Sequence, residues 1–319
     1  AAEVTFKEAG FWTGMWVLLA ISFYIFLGYN GAMVHGITDM ASLKAVQQAY
    51  ASHIDLGNGS YYEALAVFQN NMSLEFITGY LVEYSLSADN VFVFILIFNS
   101  FGVQKRYYKK ILVWGILGAI ILRLIFIFLG AALISKFGWI LYVFGAFLVY
   151  SGLTMLFSKE DDNKIDTKNH KVVKFASKYF SVHPEFVGNK FFLKVNHKLY
   201  LTPLFLVLLI VEFTDVIFAV DSIPAIFAVT KDPYIVFFSN IFAILGLRSM
   251  FFLLVNIIHK FHYLKYGLAA LLIFIGVKML AHHYLEQWGF TTIHSLFVIL
   301  FILTTSVVAS LVFPKRINQ

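Results

Sequence analysis

The sequence has no cysteine and little charge. None of its 319 residues is cysteine and only 13% are Asp, Glu, Lys or Arg, against roughly 25% in an average soluble domain. Without thiols the chain has no disulfide framework, no thiolate zinc site and no thiol redox pair, so any metal ion must be bound through oxygen or imidazole. A hydrophobic content of 60% and a mean hydropathy of +0.79 exceed what one globular core can bury. This composition indicates an integral membrane protein.

Apolar stretches long enough to cross a bilayer occur along most of the chain. A transmembrane helix needs about 20 apolar residues to span a hydrocarbon core about 30 Å thick. We therefore predict an all-α polytopic membrane protein in which residues 1–319 form a single membrane transport domain of about eight transmembrane helices. The predicted spans are 11–29, 73–99, 111–134, 138–157, 201–224, 234–257, 264–284 and 291–313.

Basic residues are concentrated in particular connections. The loop 104–110 carries four basic residues and no acid, the long connection 158–200 is rich in lysine, and Lys315 and Arg316 follow the last span. Counting the crossings places all three on one side, which the positive-inside rule makes cytoplasmic. The net charge of +6 therefore reports orientation, and we expect a cytoplasmic C-terminus, a lipid bilayer as surroundings and no nucleic-acid partner.

The polar connections show local patterns of their own. Residues 40–52 have helical character, residues 170–179 form a basic amphipathic stretch suited to the membrane surface, and residues 191–202 alternate like a hairpin that turns at Asn196-His197.

A pattern of charged residues and glycine occurs twice. An acid is followed six residues later by an aspartate, then by an arginine in the next span and a glycine in the third. The landmarks are Glu83, Asp89, Arg123 and Gly152 in repeat 1 (about 72–157), and Asp215, Asp221, Arg248 and Gly276 in repeat 2 (about 201–285). Each copy has three crossings, an odd number, so the second copy is inverted relative to the first. Inverted 3+3 repeats are typical of secondary transporters, which bind their substrates near the midplane.

Five of the carboxylates inside the predicted spans are candidates for a site: Glu83, Asp89, Glu212, Asp215 and Asp221. Each costs about 2.5–3.5 kcal/mol at the centre of a membrane helix, so a chance occurrence of five is a poor explanation. One alternative for a single acid is that it pairs with an arginine and only holds helices together. The candidate metal ligands are Glu83, Asp89, Asn90, Glu212, Asp215, Asp221 and Ser222, and the supporting residues are Arg123, Arg248, Asn240 and Pro224.

Helix geometry limits how these ligands can meet. Glu83 and Asn90 lie on one helical stripe, whereas Asp89 lies about 120° away from Glu83. A shared ion therefore requires either local unwinding or a wide polar face. Pro224 cannot donate to the carbonyl of Val220, which frees an oxygen beside Asp221. Carboxylate, amide, hydroxyl and carbonyl oxygens favour Mn²⁺, Ca²⁺ or Mg²⁺ over softer metals.

Three runs of sequence then suggest a family. Residues 78–94, 218–229 and 239–248 closely resemble the TerC family, in particular its Alx-like members, and the likeness covers nearly the whole chain. The resemblance implies a protein of the bacterial inner membrane that exports Mn²⁺, in a family named after tellurite-resistance operons. It also implies that Mn²⁺ is the transported ion and that the protein has no resident cofactor.

The leading hypothesis is a secondary transporter, not an enzyme, whose buried carboxylates bind Mn²⁺ and release it with possible proton exchange. No ATP-binding motif is present, so we expect an ion gradient to drive it. The alternatives are transport of Ca²⁺ or another divalent cation, and a non-transporting scaffold for tellurite or metal stress. A fourth possibility is an intramembrane aspartyl protease that uses Asp89 and Asp221, although the sequence lacks the Gly-x-Gly-Asp context.

Overall fold

The computed structural model is a helical bundle with one small sheet. It describes residues 5–157, 171–195, 197–255 and 263–313, and of residues 88, 89, 92, 96, 171, 172, 221 and 286 it describes the backbone alone. The helices are α1 (Phe6–Asn30), α2 (Ala32–His35), α3 (Met40–Tyr50), α4 (Tyr61–Ser100), α5 (Lys105–Lys136), α6 (Ile140–Phe157), α7 (Lys171–Tyr179), α8 (Pro203–Phe227), α9 (Pro233–Leu254), α10 (Leu264–Leu280), α11 (His282–Gln287) and α12 (Thr292–Val312). The strands are β1 (Ser181–Val182), β2 (Phe192–Val195) and β3 (Lys198–Leu201).

The long helices coincide with the predicted spans. Within the part of the chain that the structure describes, six helices are long and apolar enough to cross a membrane: α1, α5, α6, α8, α9 and α12. The chain is therefore an all-α, multi-pass membrane protein. The other two predicted spans, 73–99 and 264–284, fall on α4, which has 40 residues, and on α10, which has 17. That these two helices also cross the membrane stays a prediction.

Local sequence fixes where the central helices begin. Ser60 and Glu63 form a capping box at the start of α4, with the backbone N–H of Ser60 donating to Glu63 at 2.7 Å. Thr202 caps α8 and Asp232 caps α9, and each is followed by a proline at the first helical position. Proline is favoured there because its missing N–H would have no partner inside the helix. These caps set the register of the helices that carry the buried polar residues.

Helices α6 and α10 pack closely against each other. A Cβ atom added to Gly276 of α10 would lie 2.6 Å from the carbonyl oxygen of Gly145, and one added to Gly152 of α6 would lie 2.8 Å from the carbonyl oxygen of Ala269. The glycines are thus required for close approach of the two backbones. Helix α4 packs mainly on α9 and α1, while α5 packs on α8 and α9. This arrangement brings α4, α5, α8 and α9 together at the centre.

The polar connections form structure at both ends of the bundle. The predicted hairpin is present: β2 and β3 pair antiparallel with Phe192 opposite Leu201, and β1 pairs parallel to β3. Asn196 itself lies outside the described residues, and His197 has φ +62°. The predicted helical segments 40–52 and 170–179 contain α3 and α7. We call the end with α2, α3 and α11 the α3 end, and the end with α7 and the sheet the α7 end.

Candidate functional site

A buried arginine connects four helices at the centre of the bundle. Arg123 of α5 is 1% exposed. Its guanidinium forms an ion pair with Glu83 of α4, and it donates two hydrogen bonds to the carboxylate of Asp215 of α8, at 3.0 and 3.2 Å. It also donates to Asn240 Oδ1 of α9 at 2.7 Å and to Ser222 Oγ of α8 at 3.4 Å. We call these five residues the Arg123 cluster.

The Arg123 cluster has more negative than positive charge. Glu83 is fully buried and Asp215 is 3% exposed, so two carboxylates face one guanidinium and the ionised cluster has a net charge of −1. The amide of Asn240 donates to the carbonyl of Val236 at 2.9 Å, which directs its oxygen at Arg123. Breaking such a buried pair is costly because the remaining charge has no compensation. The cluster therefore favours a cation in its centre.

Several polar atoms around the cluster lack hydrogen-bond partners. Among the residues whose side chains are described, Glu83 Oε2, Asn90 Nδ2 and Glu212 Oε2 are buried without one. Glu212 lies three residues before Asp215, and its carboxylate occupies space that a Cβ at Gly118 of α5 would fill. Buried polar atoms are rarely left without a partner. The two carboxylate oxygens are thus free for a further ligand, and the Asn90 amide nitrogen is free to donate a hydrogen bond.

The structure brings together some of the predicted site residues and not others. Glu83, Asp215 and Ser222 meet around Arg123 together with Asn240, as one site. Asn90 and Glu212 lie one or two helical turns away on the same helices. Arg248 is partly exposed, and within the described side chains it forms no ion pair.

The two aspartates of the repeated motif need separate treatment. Asp89 and Asp221 lie in α4 and α8, but their side chains are outside the described residues. Their convergence on one ion stays a prediction. Within the side chains that are described, no group of three His, Asp or Glu residues is placed to hold a metal ion.

Local unwinding, one of the two geometries expected for the motif, is absent from these helices. Helix α4 is continuous from Tyr61 to Ser100, and α8 continues through Pro224 to Phe227. Proline removes one hydrogen bond but is accommodated here within the last turn of α8. Asp215 and Ser222 are seven residues apart, two helical turns, so they lie on one stripe of α8, and both contact Arg123. The other geometry, a wide polar face that includes Asp221, stays a prediction.

Comparisons with known proteins agree with this reading of the motifs. The model of the "Integral membrane protein TerC family" matches residues 68–318, which include both copies of the repeated pattern. The chain belongs to the TerC family. No solved structure gives a significant match.

Relatives of this TerC protein come from several bacteria. One relative is the "Putative membrane-bound redox modulator Alx" of Escherichia coli (strain K12). It is 46% identical over 277 residues, which cover 84% of this chain and 85% of that protein. A protein of the same printed name from Salmonella typhi is 50% identical over 230 residues, covering 70% and 71%. An uncharacterized membrane protein of Myxococcus xanthus is 40% identical over 312 residues, covering 98% and 85%.

The sequence reasoning missed a further buried acid in this TerC chain. Glu75 of α4 is 2% exposed. Its Oε2 accepts a hydrogen bond from the Thr230 hydroxyl at 2.5 Å, and its Oε1 accepts one from the Asn71 amide at 2.7 Å. His53 Nε2 lies 3.3 Å from the same Oε1. Glu75 falls within the predicted span 73–99, so the criterion that selected Glu83, a carboxylate inside an apolar stretch, would have found it.

A large cavity opens at the α3 end. Its volume is about 830 Å³. Residues around Glu75 line it, among them Asn71, His53, Thr230 and Lys278. On the other side of the Arg123 cluster, a cavity of about 10 Å³ lies beside Asp215 and is otherwise lined by apolar side chains and glycine. That volume is about one water molecule. The two ends of the bundle therefore differ in how water approaches the centre.

Proposed function

We propose that this TerC protein is a secondary transporter that exports Mn²⁺, with the ion bound by carboxylates of both repeats near the Arg123 cluster. The observation that carries the proposal is that Glu83 and Asp215, the matching acids of the two copies, share one buried cation. Two carboxylates are costly to keep inside a membrane. Because these two surround the guanidinium of Arg123, they are suited to releasing it and binding a transported metal ion in its place.

The proposed inverted repeat is supported by contacts between α6 and α10. Gly152 approaches Ala269, and the equivalent positions in the other copy are Gly276 and Gly145, which also approach each other. Reciprocal contacts of this kind, where i meets j and the equivalents of i and j also meet, are the property of a two-fold axis. An axis of this kind relates halves of transporters with inverted topology.

The two arginines suggest how the site could alternate. Glu83 and Asp215 are equivalent in the repeat, so the two-fold rotation exchanges them and leaves the pair in place. The same rotation would bring Arg248 to the position of Arg123. We propose that Arg123 neutralises the carboxylates in the present conformation, that the ion displaces it, and that Arg248 takes its place when the two copies exchange conformations.

The ligand set favours a hard divalent cation. Asp89 and Asp221 would complete the binding site together with carboxylate and hydroxyl oxygens of the cluster, and oxygen donors suit Mn²⁺ and also Ca²⁺. Two relatives have a printed name that describes a redox modulator. This chain has no cysteine, so a redox effect in it would come from the metal that it moves and not from its own thiols.

The basic connections indicate how the protein is oriented in the membrane. We propose that the α7 end, with the loop 104–110 and the connection 158–200, is cytoplasmic in the bacterial inner membrane. The α3 end and its cavity of about 830 Å³ then face outward.

The test is metal flux in liposomes that contain only this protein, with Mn²⁺, Ca²⁺ and Mg²⁺ supplied separately. We expect Mn²⁺ flux in the parent and its loss in Asp89→Asn and in Asp221→Asn, because an amide oxygen is a much weaker partner for Mn²⁺ than a carboxylate. Both variants should fold, since each loses a costly charge at membrane depth.

Three outcomes separate the alternatives. A parent that moves no metal would favour the scaffold, and a parent that prefers Ca²⁺ would favour the second cation. Variants that melt normally and still carry Mn²⁺ at the parent's rate would remove these aspartates from the site. The exposed acid Asp55, changed to Asn, serves as a charge-matched control.

A further inference from the structure

Glu75 has a different environment from the acids of the Arg123 cluster. Its neighbours are the neutral donors Thr230 and Asn71 together with the imidazole of His53, and the ammonium of Lys278 interacts with it electrostatically. No arginine contacts Glu75 within the described residues. A carboxylate of this kind can take up a proton without first leaving a guanidinium.

The side chains next to Glu75 form a single layer between it and the large cavity. All four of these neighbours line the cavity of about 830 Å³ at the α3 end, while Glu75 itself is 2% exposed. The side chain of His53 is 32% exposed, so it reaches both the cavity water and the buried carboxylate. Imidazole can accept a proton on one nitrogen and release one from the other, which suits a path between water and Glu75.

The charged groups around this position come from several elements. The connection between α3 and α4 supplies His53 and Asp55, that between α8 and α9 supplies Lys231 and Asp232, α10 supplies Lys278, and α11 supplies His282. Asp232 is paired with His35 of α2 at 2.6 Å. Of the basic groups in this set, His53 and Lys278 interact with Glu75.

This environment favours a proton over a metal ion. A divalent cation at Glu75 would meet the ammonium of Lys278, and the described residues provide no third His, Asp or Glu ligand beside Glu75 and His53. Like charges inside a protein of low dielectric repel strongly. A proton, in contrast, neutralises Glu75 and leaves the lysine charge where it is.

Glu75 also breaks the symmetry of the two repeats. It lies eight residues before Glu83, and the residue eight before Asp215 is Val207, which is fully buried among apolar side chains. A feature of one copy alone acts at one end of the bundle. The α3 end therefore has a buried carboxylate, Glu75, where the α7 end has the apolar side chain of Val207 at the matching position.

We propose that Glu75 is the proton-binding carboxylate at the outer side of the transport path, reached from the cavity through His53. The inference rests on the proposed function, because a proton that binds here matters only if the protein exchanges it for a metal ion. Inward movement of the proton would then drive outward movement of Mn²⁺, as the membrane gradient requires.

The experiment compares two kinds of Mn²⁺ movement in proteoliposomes. One is accumulation driven by a pH gradient, and the other is exchange of radioactive for non-radioactive Mn²⁺ at equal pH, which needs no net proton movement. In Glu75→Gln we expect gradient-driven accumulation to fall to the level of protein-free vesicles while Mn²⁺/Mn²⁺ exchange continues. Asp55→Asn, which changes an exposed acid of the same cavity, should keep both activities.

Each result points one way. A parent without any Mn²⁺ flux would overturn the proposed function, and this inference with it. A parent that moves Mn²⁺ without protons, or a Glu75→Gln variant that keeps gradient-driven accumulation, would overturn this inference alone. A well-folded Glu75→Gln variant that loses both activities would also overturn it, since Glu75 would then be needed for metal movement itself.

A second variant keeps the test open if Glu75→Gln does not fold. His53→Gln changes a partly exposed side chain and retains Glu75. We expect it to slow gradient-driven accumulation, with Mn²⁺/Mn²⁺ exchange unchanged. Gradient-driven accumulation at the parent's rate in His53→Gln would contradict the proposed path.

Discussion

Removing the guanidinium of Arg123 is the most direct perturbation of the central cluster. In Arg123→Met the ion pairs with Glu83 and Asp215 are lost, as is the hydrogen bond to Asn240. The buried charge changes from −1 to −2, and the two carboxylates lose the donors that the guanidinium supplies. Removing one partner of a buried ion pair typically costs about 3–5 kcal/mol. We expect a loss of stability in that range, measured by titration with SDS in mixed micelles.

Two further variants separate charge from packing. Arg106→Met removes an arginine from the same helix, but Arg106 is exposed, and its guanidinium lies 4.8 Å from the centre of the Tyr107 ring. The expected cost of losing this cation–π contact is about 0.5–1 kcal/mol. Adding Glu83→Gln and Asp215→Asn to Arg123→Met removes the uncompensated charges and should restore more than half of the lost stability. If Arg123→Met unfolds like Arg106→Met, or if the triple variant is no better than the single one, the cluster does not stabilise the fold electrostatically.

Two other predictions follow from the packing and the orientation. Gly276→Ala places a methyl group 2.6 Å from the Gly145 carbonyl and should cost about 1–3 kcal/mol, whereas Gly138→Ala, with open space around its Cβ, should be close to neutral in the same SDS titration. Because the chain has no cysteine, Asn58→Cys and Lys194→Cys provide single labelling sites in intact cells. An impermeant thiol reagent should reach the first and not the second, and the reverse result would invert the orientation.

The long-range organisation of the fold was predictable from the sequence because a bilayer imposes strong rules. Each apolar stretch has to be a helix, since backbone groups find no other partners in lipid, and every predicted span falls on one. The hairpin at 191–202 was also predictable, because alternating residues flank a turn. The number of crossings depends on α4 and α10, whose polar content or length places them at the margin of a rule based on apolar length alone.

The pairing at the centre was not predictable in the same way. The sequence indicates that Glu83, Asp215, Arg123 and Arg248 lie within the membrane, but both arginines are equivalent in the pattern. Which of them meets the carboxylates depends on packing between helices distant in sequence. Pro224 does not end α8: proline removes one backbone hydrogen bond, and its position near the end of α8 lets the helix continue. Glu75 was missed although the available rule applied to it.

A geometric argument explains why one arginine, and not both, lies between Glu83 and Asp215. If the copies are related as we propose, the two-fold rotation maps the pair of Glu83 and Asp215 onto itself and maps Arg123 onto Arg248. The space between the two carboxylates holds a single guanidinium. It donates hydrogen bonds to both carboxylate oxygens of Asp215 and forms an ion pair with Glu83. A conformation that obeys the symmetry would need both arginines there and would bring two buried positive charges together. The conformation must therefore be asymmetric. The two-fold rotation generates a second conformation, in which Arg248 instead of Arg123 lies between the same two carboxylates. Two conformations of similar energy around one fixed site are what alternating access requires.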